Sequence, residues 1–191
     1  MSTIAARASK TDTHTGGCLC GAVRYQIAGR LRPVVLCHCT QCRRSTGHFM
    51  AATAARHRDF RLTSEAELRW YASSDAARRG FCGRCGSTLF WQANGRDYIS
   101  IAAGTLDGAT GLSSACHIHV ADKGDYYAIG DGLPQSADGN FTVPIPSASS
   151  RMCGNRITSR IEGESVKNMT SRSMPTPRPA VGGMPYSSAR T

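Results

Sequence analysis

No stretch of this sequence approaches the roughly 20 consecutive apolar residues that a bilayer-spanning helix needs. Met1 to Thr15 also lacks the short apolar segment of a secretory signal. These two absences lead us to expect a cytoplasmic chain whose thiols stay reduced, with no membrane partner. Aromatic side chains are scarce, at 7% of 191 residues, and nowhere do they cluster with basic ones. Nucleic-acid binding wants basic and aromatic groups on one face, so nucleic acid is not an expected partner. Acidic residues are few as well: 13 Asp and Glu stand against 23 Lys and Arg, a formal net charge of +10. That excess is spread out. Residues 16–134 carry 14 basic and 9 acidic groups (+5), and residues 135–191 carry 7 and 3 (+4). Most of these cations are arginine, which suits carboxylate or phosphate recognition.

Helical periodicity over 11 residues is missing too, and so is any internal repeat beyond paired cysteines. In its place are short apolar runs bounded by Gly, Asp, Ser or Pro. Ala22–Ile27, Leu31–Leu36, Phe49–Ala55, Glu67–Tyr71, Ser87–Trp91, Tyr98–Ala102 and Cys116–Val120 read as strands. Thr40–Gly47 and Asp107–Ser113 have room for single helical turns. The expected class is mainly β, built from short antiparallel strands. Composition changes near Gln135, beyond which Ser, Pro, Gly and Arg dominate. Such segments bury too little apolar area to offset the entropy of ordering. The expected division is therefore a tail over 1–15, a domain over 16–135, and a disordered tail over 136–191.

Cysteine is plentiful, with nine residues, and in a reducing compartment metal binding explains them better than disulfides do. Cys18-Leu19-Cys20 opens a strand, where residues two apart share a face. Cys82-Gly-Arg-Cys85-Gly86 has the form of a knuckle whose glycines let amides turn toward the sulfurs. Cys18, Cys20, Cys82 and Cys85 thus supply a closed tetrahedral set, as structural zinc requires. A third group, Cys37-His-Cys39-Thr-Gln-Cys42, offers three thiolates within six residues, and three protein ligands leave one tetrahedral position open. His38 points to the opposite face if the strand is regular. Two zinc ions are expected in all. Three thiolates leave the second ion a net charge of −1, so it activates water poorly but suits an external thiol, which coordination deprotonates. Arg43 and Arg44 follow directly and are candidates to offset that charge or hold a substrate carboxylate. His117 and His119, two apart in a strand, share one face and read with Cys116 as packing residues. His48 reads as a turn residue, with a proton donor near the open zinc position as the alternative, and Cys153 falls in the tail.

Gly17-Cys-Leu-Cys-Gly-Ala-Val-Arg-Tyr, Cys37-His-Cys-Thr-Gln-Cys-Arg-Arg-Ser-Thr-Gly, Arg79-Gly-Phe-Cys-Gly-Arg-Cys-Gly-Ser and Asp131-Gly-Leu-Pro-Gln together resemble the glutathione-dependent formaldehyde-activating enzyme family. Gly104-Thr-Leu-Asp and His117-Ile-His-Val fit it as well. The resemblance covers about Gly16 to Gln135. It implies an Mss4-like β fold, a structural zinc on Cys18, Cys20, Cys82 and Cys85, and a catalytic zinc on Cys37, Cys39 and Cys42. The implied reaction joins formaldehyde to the glutathione thiol, formally a carbon–sulfur lyase acting in reverse. The implied partners are glutathione or a similar small thiol, and a small aldehyde. His48 departs from the family pattern, which has a small residue after Gly47. Two other classes compete with an enzyme: a glutathione carrier or sensor, and a zinc-stabilised protein-interaction module, which the basic tail favours.

Overall fold

A computed structural model describes residues 13–146. The expected disorder of residues 147–191, and Cys153 with it, lies outside the described residues. The chain begins with β1 (Thr13–Gly17) and β2 (Arg24–Ala28), followed by β3 (Val34–Cys37) and one α-helix, α1 (Thr40–Thr46). Next come β4 (Met50–Arg56), β5 (Phe60–Ser64), β6 (Leu68–Ser74) and β7 (Ala77–Cys82). The last strands are β8 (Thr88–Ala93), β9 (Tyr98–Ala102) and β10 (Ser114–Ile118). The protein is mainly β.

The strands form two sheets. A three-stranded antiparallel sheet runs β1-β2-β5, and a seven-stranded sheet runs β10-β3-β4-β9-β8-β7-β6. All pairings in the larger sheet are antiparallel except β10 with β3, which are parallel. The parallel pair departs from the expected all-antiparallel arrangement. It arises because a long irregular passage, residues 106–113, carries the chain back before β10 starts. Asp107–Ser113 accordingly holds no helical turn, whereas the turn expected at Thr40 is present as α1.

Alternation explains the core. In β2, Arg24-Tyr-Gln-Ile-Ala, only Tyr25 and Ile27 are buried, so one face of the strand is apolar and the other is wet. Those two pack with Val23, Leu89, Phe90, Ile99 and Ile101 in a single cluster that draws on both sheets. Tyr25 and Phe60 meet the Phe90 ring edge-on, at 5.4 and 5.3 Å between centroids. Each such large side chain contributes roughly 1.5–3 kcal/mol through burial. The Tyr25 hydroxyl is satisfied by Thr105 Oγ1 at 2.7 Å, so burying this ring leaves no orphan polar group.

Three strands carry weak sequence signals. Thr13-His-Thr-Gly-Gly is polar and falls mostly within the expected N-terminal tail. It forms β1 because its backbone pairs along β2 from Thr13↔Ala28 to Gly17↔Arg24. β5 and β7 were likewise not legible as runs. β7, Ala-Arg-Arg-Gly-Phe-Cys, is stabilised from both sides by ladders to β6 and β8. Past Gln135, backbone hydrogen bonds continue: His119 donates to Asp138, Val120 to Ser136, and Ser136 to His117.

Candidate functional site

Cys18 and Cys20 do not lie in a strand, contrary to the sequence expectation; they sit in the turn between β1 and β2. The turn still brings their sulfurs to 3.5 Å, and Cys20 Sγ lies 3.8 Å from Cys82 Sγ. Cys82 ends β7, and Cys85 follows in a turn closed by the Gly86 amide donating to the Cys82 carbonyl at 2.9 Å. Gly86 takes φ of 75°, which a residue with a Cβ adopts only at a cost. Amides face the sulfurs here, with the Val23 N–H donating to Cys18 Sγ at 3.2 Å. Hydrogen bonds from Ser87, led by its hydroxyl, pull the Cys85 thiol down to about 5.

Cys37 ends β3, Cys39 caps α1, and Cys42 lies in the first turn of that helix. The Cys42 N–H donates to Cys39 Sγ at 3.4 Å. Within each of the two groups, all sulfurs lie within 4.8 Å of one another, and every described cysteine is a free thiol. A tetrahedral ion with Zn–S bonds of about 2.3 Å sets its sulfurs about 3.8 Å apart. The 3.5 and 3.8 Å separations in the Cys18 group fit that spacing, and the sulfurs of the Cys37 group converge within 4.8 Å, so each set could hold a thiophilic cation such as zinc. Crowding of the three thiols in the second group polarises them. Hydrogen bonds from Cys37 and then Cys42 drive Cys39 far down, with His119 adding to the effect, and the same contacts drive Cys37 up.

The two groups differ in their surroundings. The first packs into the main core through Cys18 and Cys82. The second opens on a cavity of about 350 Å³, within the range of small-molecule sites. The face of the larger sheet lines this cavity with Val35, Met50, Ala52 and Ser100, and the segment after β10 adds Gly139 and Phe141. Two arginines also line it, Arg32 and Arg79. Arg79 is only 7% exposed, and its Nη2 reaches Gln41 Oε1 at 3.4 Å and Cys42 Sγ at 3.6 Å. Arg32 donates from Nη2 to the Ala52 carbonyl at 3.1 Å, and burial pushes its guanidinium pKa down. Both leave a buried Nε without a partner, as does Arg43 on α1 outside the cavity. The arginine–carboxylate pairs among the described residues are Arg24–Asp107, Arg56–Asp97, Arg58–Asp59 and Arg69–Glu67, so neither cavity arginine has one.

Arg43 and Arg44, singled out from sequence, stand on α1 and do not line the cavity; Arg44 is exposed. Successive helix residues point about 100° apart, so neither shares the direction of Cys42. His48 is also outside the cavity, stacked among Phe49, Tyr126 and Tyr127. Cys116 is a fully buried residue of β10. His38 turns away from the sulfurs into a buried polar chain. Its Nδ1 meets the Tyr127 hydroxyl at 2.5 Å and its Nε2 meets His117 Nδ1 at 2.8 Å, while His117 Nε2 meets Asp131 Oδ2 at 2.9 Å. Hydrogen bonding by His117 lowers the Asp131 pKa, and burial lowers His38 to about 4. Tyr127, His38, His117 and Asp131 thus form one continuous hydrogen-bonded chain. This chain fixes the backbone between Cys37 and Cys39.

His117 and His119 do not share a face, contrary to the expectation for a regular strand. β10 ends at Ile118, and His119 takes a left-handed backbone, φ 56° and ψ 40°. His117 consequently joins the buried chain while His119 lines the cavity.

The profile of the family described as glutathione-dependent formaldehyde-activating enzyme matches residues 13–122, more than half of the sequence. The chain belongs to that family. It is 29% identical over 116 residues to an uncharacterized lyase of Schizosaccharomyces pombe, covering 60% of this chain and 83% of the relative. A crystal structure of a Rhodobacter sphaeroides protein is similar at 28% identity with a TM-score of 0.43, over 50% of this chain and 90% of that one. No helix among the described residues is long and apolar enough to cross a membrane.

Proposed function

We propose that this protein is a zinc-dependent carbon–sulfur lyase, working in the synthetic direction on a thiol and a small aldehyde, as in forming S-hydroxymethylglutathione from glutathione and formaldehyde. The family and the lyase-named relative support the general class. The observation that carries the specific reading is the convergence of three thiols and two carboxylate-free arginines on one cavity. Cys18, Cys20, Cys82 and Cys85 would hold a structural zinc, and Cys37, Cys39 and Cys42 a reactive one. Held by three thiolates, zinc offers one further position to a thiol and lowers that thiol's pKa.

The chain's own residues do the rest. Arg79, beside Cys42, offsets the negative charge of the thiolate set. Its remaining donors, with those of Arg32, form charge-assisted bonds to the two carboxylates of glutathione. That clamp holds the peptide so that its sulfur rests at the cysteine group. Val35, Met50 and Phe141 give the cavity an apolar wall beside the cysteine group. Positioning the sulfur about 3 Å from the aldehyde carbon replaces a bimolecular encounter by a near-unimolecular one. A cytoplasmic setting, where glutathione is reduced, fits this chemistry.

The test follows hemithioacetal formation and its reverse by NMR exchange. Wild type is expected to exceed both the spontaneous rate and a Cys39→Ser control. If wild type binds glutathione while exchange stays at background, the protein is a carrier or sensor and the enzyme reading falls.

A further inference from the structure

We infer that His119 is the proton-carrying residue of the cavity, taking the proton from the incoming thiol and returning it to the aldehyde oxygen. The inference rests on the lyase reading above. His119 is the only non-glycine residue with positive φ among the described residues. Backbone strain of this kind persists where surrounding structure enforces it, and it clusters at working sites. The enforcement is visible here: the His119 N–H is tied to the Asp138 carbonyl at 2.9 Å, and its own carbonyl accepts from the Asp122 N–H at 3.2 Å.

A second constraint acts on the ring. A Cβ at position 139 would come within 2.8 Å of His119 Nε2, so the imidazole tip lies directly against Gly139 and a larger residue there would push the ring aside. A left-handed histidine and a close-approach glycine, from separate segments, thus both serve to place one ring on the cavity wall. That ring has no protein hydrogen-bond partner among the described residues. His38 and His117 are bonded at both nitrogens, His57 to Gln92, and His48 to Tyr126 at 3.5 Å. The nitrogens of His119 are therefore available to a substrate, and an imidazole ring carries one nitrogen that can accept a proton and one that can donate.

The step balances on one proton. The thiol S–H proton passes to the neutral imidazole, and the sulfur lone pair forms the C–S bond. The carbonyl π pair moves onto oxygen, which takes the proton back from the imidazolium to give the hydroxymethyl product. The reverse reaction runs through the same atoms, so no oxidant, reductant or second acid is needed.

The decisive variant is His119→Gly, which keeps the left-handed backbone without strain and leaves a ring-sized gap. Full-length protein is assayed by NMR exchange with glutathione and formaldehyde, with and without added imidazole, and its glutathione affinity is measured by calorimetry. We expect affinity to stay within about threefold of wild type, exchange above background to fall roughly 10²- to 10⁴-fold, and added imidazole to restore part of it. His119→Asn also tolerates the left-handed backbone. It has no gap and should be as slow as the glycine variant yet unresponsive to imidazole. Undiminished exchange in both variants overturns the proton role and leaves the lyase reading standing. A slow glycine variant that imidazole does not rescue also overturns it and makes His119 a wall residue. Wild-type exchange at background removes the lyase reading and this inference together.

Discussion

At the scale of single residues, what distinguishes this site is which polar groups are left unsatisfied. His117 is 3% exposed and links His38 to Asp131, so its removal strands two partners. His117→Phe fills the same space but orphans the buried Nε2 of His38. It should destabilise the domain by roughly 1–3 kcal/mol, read as a lower midpoint in thermal or denaturant unfolding. An unchanged midpoint would mean the polar chain is not needed to hold the cysteine loop. Arg79 presents the opposite case, a buried cation beside the Cys42 sulfur with no carboxylate partner among the described residues. Arg79→Met should weaken glutathione binding by roughly 10- to 100-fold, the worth of a charge-assisted hydrogen bond, whereas the Arg43→Ala, Arg44→Ala double variant should leave it nearly unchanged. Calorimetric titration of both variants compares them directly, and the reverse order would put the carboxylate clamp on α1.

Elements show why some of this was readable in the sequence and some was not. The seven clustered cysteines lie in short local patterns, so spacing alone divides them into a set of four and a set of three. Arg32, Arg79 and His119 come from the approach to β3, from β7 and from the end of β10, and only the sheet order brings them to one cavity. No local pattern marks them. β7 in particular carries two arginines and a glycine, a poor apolar run, yet Arg79 is buried because its face of the strand meets Met50 and Cys42, while Arg78 on the other face is exposed. His119 was misplaced for a different reason: a period of two holds only while the strand stays regular, and β10 stops one residue earlier. The same element logic separates the two cysteine groups. Cys20 and Cys82 are 62 residues apart and join the β1–β2 turn to the end of β7, whereas Cys39 belongs to a loop of six residues. Cys82→Ser should therefore abolish the folded state and Cys39→Ser should leave it intact. Far-UV circular dichroism with a melt of each variant checks this. A cooperatively folded Cys82→Ser protein would show that the clip is dispensable.

For the molecule as a whole, the account rests on a division of labour: one cysteine set closes the fold, and the other faces a cavity and meets a thiol. Family membership fits that division but does not assign the roles. The structure supplies the contrast in surroundings, with Cys18 and Cys82 in the core and Cys37, Cys39 and Cys42 lining open space. An ion enclosed by four thiolates should exchange far more slowly than one with an exchangeable fourth position. The most direct measurement is a chelator titration of the zinc-loaded protein that follows zinc release, circular dichroism and glutathione binding together. The expected result is that one equivalent of zinc leaves first, glutathione binding is lost with it, and the β signal persists until the second equivalent leaves. Release of both ions in one step with unfolding, or glutathione binding that survives loss of the first ion, would contradict the account.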